Sequence, residues 1–96
     1  MDLWAKEVMS KLERSSASIL FGEHAAKDKN LTVEDVDNVV QTVRIGKVDD
    51  EKSTQEKERI CFRNYFDKKG VTYFVVTEYY PDFIRIVTVI KKKGKY

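Results

Sequence analysis

His24 is the single histidine of this chain. It stands in ILFGEHAAK, where an apolar run ends and a helix can begin. An imidazole titrates near neutrality and suits proton transfer. Arg63, Thr88 and Lys91 follow in segments that read as strands. Cleavage of RNA through its own 2′-hydroxyl is chemistry that side chains of these types can perform without a metal. One group takes the 2′ proton, another protonates the leaving 5′ oxygen, and cations hold the pentavalent phosphorane. The planar arginine fork matches such a phosphorane, and lysine, tyrosine and threonine can complete the site. Each residue also has a plain structural reading. His24 can be an ordinary polar residue at a helix start, and Arg63 an exposed cross-strand partner. Thr88 can be a tolerated β-branched residue, and the run Lys91, Lys92, Lys93 and Lys95 a solvated tail.

The elements that must position these groups come from 96 residues, 42% hydrophobic and 35% charged, which is one domain of ordinary globular composition. Asp2 and the spacing of Leu3, Trp4, Val8, Met9 and Leu12 predict a helix over 2–15, amphipathic rather than a signal peptide. Ile19–Phe21 reads as a short strand, and His24–Ala26 as a short helix that ends at DKN, 28–30. Thr32 and Asp35 form a variant capping box. From there Val33, Val36, Val39, Val40 and Val43 mark the buried stripe of a helix, with Glu34, Asp35, Asp37 and Gln41 toward water. DDEKSTQEKE, 49–58, carries seven charges and no apolar residue and reads as a solvated loop.

After that loop the period becomes two. RICFRNYF places Ile60, Phe62 and Phe66 on one face and Arg59, Cys61, Arg63 and Tyr65 on the other. DKKG is a hairpin turn with Gly70 at positive φ. VTYFVVTEYY and FIRIVTVIK are the next strands, the last apolar on both faces as in a sheet interior. Its Ile84, Ile86, Thr88 and Ile90 are expected on one face. The expected fold is α+β, with N-terminal helices packed on one face of a three- to four-stranded antiparallel sheet. The other face is expected to be open and to carry Arg59, Arg63, Tyr65, Tyr73 and Arg85.

Net charge is +2. Residues 31–56 hold seven acids and three bases, −4, whereas residues 57–96 hold ten bases and four acids, +6. A basic half attracts phosphate. One cysteine excludes an internal disulfide and one histidine argues against structural zinc. No P-loop, GxGxxG, HExxH or GxSxG motif occurs. No run of about 18 apolar residues is present to span a bilayer. These features predict a cytoplasmic protein without cofactor or metal and without a membrane partner.

ILFGEHA, LTVEDVDNVV with the glycine of RIGKV, RICFR, FVVTEYY and RIVTVIKK together resemble a family of small bacterial, archaeal and phage proteins. Those proteins look like members of the barnase–EndoU–colicin–RelE (BECR) superfold, which includes RelE-like ribonuclease toxins of toxin–antitoxin systems. The resemblance spans about residues 18–92. It implies that His24 transfers a proton or contacts a phosphate, that Arg63 and Lys91 stabilise the phosphorane, and that Thr88 orients a phosphate or the histidine. Tyr96 resembles the C-terminal aromatic of RelE-like toxins. The chain departs from the pattern at Ala25–Lys29, where related proteins carry more arginine.

The function expected on this basis is a metal-independent endoribonuclease of the toxin type. RNA contacts would come from Arg59, Tyr65, Arg85, Lys92, Lys93 and Tyr96, and an antitoxin or immunity protein would be a partner. The competing expectation is a non-catalytic module that binds protein or nucleic acid on the same fold.

Overall fold

In the computed structural model, the alternation of RICFRNYF and VTYFVVTEY produces the antiparallel pair at the centre of the fold. The structure describes residues 17–27, 31–54, 59–80 and 82–96. The helix expected at 2–15, its stop at 28–30 and the turn at Pro81 lie outside them. In chain order the elements are β1 (Ser18–Phe21), α1 (Glu23–Ala26), α2 (Val33–Ile45), β2 (Lys47–Thr54), β3 (Arg59–Phe66), β4 (Val71–Tyr79) and β5 (Phe83–Lys93).

The expected three- to four-stranded antiparallel sheet is wrong. The sheet has five strands in the order β1-β5-β4-β3-β2. It is mixed, because β1 runs parallel to β5 with Ile19 opposite Ile84, and among the described residues two helices accompany it. Two short-range readings missed this. Four residues of β1 reach the sheet edge through a pairing 65 positions away, which local patterning cannot register. The charged stretch assigned to a loop forms most of β2. Its backbone pairs with β3, and an edge strand needs no apolar alternation; charge there also discourages further pairing.

α2 begins where its cap predicts. The Thr32 hydroxyl accepts the Asp35 amide at 3.1 Å, and the Asp35 carboxylate accepts the Thr32 amide at 2.9 Å. Only part of the valine stripe is buried. Val39 and Val43 are fully enclosed with Ile60, Phe62, Val75, Ile84 and Ile86, while Val33 and Val36 lie beyond the sheet's cover and are exposed. Burying each such side chain contributes roughly 1.5–3 kcal/mol, so this layer between α2 and the sheet contributes heavily to stability.

A β-bulge corrects the expected face of the last strand. Val76 pairs with Thr88, but its neighbour Thr77 pairs with Ile86. Val87 is the extra residue. Ile84 and Ile86 therefore face α2, and Thr88 and Ile90 face the opposite side, contrary to the expectation of one shared face. The bulge also moves Lys91 onto the α2 side.

Gly46 ends α2 at a point of close backbone approach. Its amide donates to the Thr42 carbonyl at 2.8 Å. A Cβ there would sit 2.3 Å from that carbonyl oxygen and 2.8 Å from the Arg63 carbonyl oxygen. Neither is the end of a flexible side chain. Gly46→Ala is expected to cost about 2–3 kcal/mol, read as a Tm lowered by roughly 10–20 °C in thermal unfolding. An unchanged Tm would show that the α2–β3 junction can widen at no cost.

Candidate nucleic-acid interface

Register brings together two lysine clusters that are distant in sequence. The β3–β4 turn, DKKG, is followed by Val71, which pairs with Lys93; Thr72 pairs with Lys92 and Tyr73 with Lys91. Gly70 takes φ +63° as the turn requires, and its carbonyl accepts the Gly94 amide at 2.8 Å. Lys68 and Lys69 thus share one end of the sheet with Lys91, Lys92, Lys93 and Lys95. Against these six lysines stand Glu34, Asp35 and Asp67, leaving +3. Lys69 is paired with Glu34 at 2.8 Å, which raises the lysine's affinity for its proton.

On the α2 side of this end, Lys91 Nζ lies 3.2 Å from Asp35 Oδ2, and the Tyr73 hydroxyl donates to Asp35 Oδ1. Asn38 Nδ2 donates to the Tyr73 oxygen at 3.4 Å. Burial by itself would push the Asp35 carboxyl up. The Thr32 amide, the Tyr73 hydroxyl and the Lys91 ammonium outweigh it and hold the carboxyl well below the usual carboxylate range. Burial, and then the bond to Asp35, push the Tyr73 phenol up against the opposing Asn38 amide. Two expectations fail here. Asp35 is buried rather than facing water, and Tyr73 is buried on the α2 side rather than on an open face. The reason for the second is register, since Tyr73 pairs with Asn64 and so shares the face of Phe62 and Phe66.

On the opposite side is a cleft of about 300 Å³ lined by Lys47, Arg63, Tyr65, Thr72, Lys95 and Tyr96, among others. Arg63 pairs with buried Asp49 at 3.3 Å. Lys95 Nζ lies 5.9 Å from the Tyr65 ring centre and Lys92 Nζ 5.5 Å from that of Tyr96, within cation–π range. Tyr96 meets Phe74 edge to face at 5.7 Å.

The four residues expected to share one phosphodiester occupy separate places. His24 is exposed on α1, beside a different cleft lined by Glu23, Lys27 and Arg85. Arg63 is in the cleft with Tyr65, Thr88 is half-buried on β5, and Lys91 is on the other side of the sheet, tied to Asp35. The expected RNA contacts divide as well. Tyr65, Lys92 and Tyr96 gather at the lysine-rich end, with Lys93 on the α2 side of that same end. Arg59 and Arg85 meet Glu78 six residues along β4 from Thr72, about 20 Å away at strand rise; Arg85 Nε donates to Glu78 at 2.8 Å and Arg59 Nε lies 3.8 Å from it.

Sequence reading passed over Asp35 as a ligand for anything but its own helix cap, and passed over Lys47 and Lys68–Lys69. The available signal was the pair of lysine runs flanking a hairpin and its partner strand. Among the described residues, no group of three or more His, Cys, Asp or Glu side chains is placed to hold a metal, and no helix is long and apolar enough to cross a membrane. Compared with family models, curated proteins and solved structures, the chain matches none.

Proposed function

We propose that this protein binds nucleic acid through the lysine-rich end of its sheet and does so without cutting it. The observation that carries the reading is the convergence of Lys68, Lys69, Lys91, Lys92, Lys93 and Lys95 through the pairing of Val71 with Lys93. A concentrated positive end of this kind gains affinity for a phosphodiester strand by releasing its counterions. RNA is the partner proposed, in keeping with the tyrosines beside the lysines. The separation of His24 from Arg63 and Lys91 weighs against cleavage, because in-line transfer needs its acid, base and cations within direct reach of one phosphate.

The test is RNA binding by fluorescence anisotropy at 50–500 mM salt, with the same RNA afterwards resolved on a gel in EDTA. Affinity is expected to fall steeply with salt and the RNA to stay intact at high protein concentration. Salt-independent or undetectable binding would remove the reading. Cleavage lost in His24→Ala would restore the metal-independent ribonuclease in its place.

A further inference from the structure

The cleft beside the lysines has features that phosphate attraction alone does not require. Its walls include two phenol rings, each with a lysine ammonium within 6 Å of the ring centre: Tyr65 with Lys95, and Tyr96 with Lys92. The second ring is held there by the backbone. Gly94 takes φ +97°, a left-handed turn open to glycine at little cost. Its amide is bound to the Gly70 carbonyl at 2.8 Å, and its carbonyl accepts the Thr72 hydroxyl at 2.6 Å. The chain is thereby folded back so that Tyr96 reaches Phe74 and the cleft. Even so, Tyr96 is 61% exposed, so much of this aromatic surface remains available to a ligand.

Resting on the nucleic-acid reading above, we infer that Tyr65 and Tyr96 take up an unpaired base, and that the protein therefore selects single-stranded over double-stranded RNA. A base in a duplex has both π-faces covered by its neighbours, whereas an unpaired base can stack on a tyrosine while its phosphate lies on the adjacent lysine. The pairing of ring and ammonium supplies both partners at the spacing of one nucleotide. The cleft of about 300 Å³ admits one base and excludes a helix. The Thr72–Gly94 bond fixes the turn in advance, so less ordering is left to binding.

The experiment compares three ligands of matched phosphate number: a single-stranded RNA, the same sequence as a duplex, and inorganic polyphosphate. Each is titrated against the wild type, Tyr96→Ala, Tyr96→Phe and Tyr65→Ala, with melting temperatures taken to confirm folding. The wild type should bind single strand well above duplex. Tyr96→Ala should weaken the single strand roughly 5- to 100-fold, the usual range for one stacked base, and leave polyphosphate within twofold. Tyr96→Phe should restore single-strand binding. Should Tyr65→Ala unfold, Tyr96→Ala, at an exposed side chain, still decides. Equal affinity for single strand and duplex, or equal loss of RNA and polyphosphate in Tyr96→Ala, would overturn the inference while leaving the lysine-based reading standing. Failure of the wild type to bind any of the three ligands would remove both.

Discussion

Asp35→Ala is expected to lower the unfolding free energy by about 3 kcal/mol, the largest single-residue loss outside the apolar core. The sum has two parts. Loss of the bond from the Thr32 amide to the Asp35 carboxylate, one half of the capping box at the start of α2, costs about 1 kcal/mol. Leaving the buried Tyr73 hydroxyl without its acceptor costs about 1–3 kcal/mol more. Lys91 adds little, because its side chain is about a third exposed and returns to water when its partner is gone. That is why the figure stays below the 3–5 kcal/mol typical of breaking a wholly buried pair. Thermal or urea unfolding reads the loss directly, and an alanine variant as stable as the wild type would show that the network contributes nothing.

The same carboxylate gives a signature in pH. Its folded-state pKa is depressed relative to about 3.9 in an unfolded chain. Below that value the unfolded state binds a proton that the folded state still refuses. The stabilisation is therefore complete above about pH 5 and is lost progressively as pH falls through the unfolded value toward the folded one. Asp35→Asn should remove this share of the acid limb of the stability curve. It should cost less at neutral pH than alanine does, because its single amide oxygen can still accept from either the Thr32 amide or the Tyr73 hydroxyl, which bind separate oxygens of the carboxylate. An acid limb identical to that of the wild type would locate the pH dependence elsewhere.

Substituting Lys92, Lys93 and Lys95 together by glutamine should weaken RNA binding roughly 30- to 100-fold at 150 mM salt. For single strands the slope of log affinity against log salt is about −0.7 per phosphate contact, so three contacts remove about 2 from the slope. At 150 mM that slope corresponds to about 50-fold, and near 1 M salt the two proteins should converge. Lys69 and Lys91 are left in place because they hold Glu34 and Asp35, and their loss would mix stability with binding. A parallel downward shift with no change of slope would mean that these lysines do not meet phosphate.

Part of the candidate site is legible in residue type. Tyr65, Lys92 and Lys93 are expected as RNA contacts from their types and Tyr96 from the resemblance; Tyr65 and Tyr96 line the cleft, and Lys92 lies 5.5 Å from the Tyr96 ring centre. Arg59 and Arg85 are grouped with them on type alone, yet β3 and β5 place them on either side of Glu78 of β4, at the far end of the sheet, where Glu78 pairs with both. The residues of the proton-transfer set likewise lie apart. Sequence distance says nothing about whether His24, in α1, meets Arg63 in the middle of β3.

Local chemistry decided what local chemistry can decide. The Thr32–Asp35 box, the alternation in β3 and the DKKG turn each depend on residues within a few positions, and each forms where the sequence places it. Tertiary structure decided the rest through pairings of long range. The parallel partner of β1 and the polar edge strand β2 depend on backbone bonds that side-chain pattern does not encode. The clearest case is Lys91. Alternation from Ile84 and Ile86 would place it across the sheet from α2. One extra residue, Val87, reverses the alternation and brings the ammonium to a carboxylate on the opposite face, because side chains in a strand have a period of two and a single insertion exchanges the faces of everything that follows.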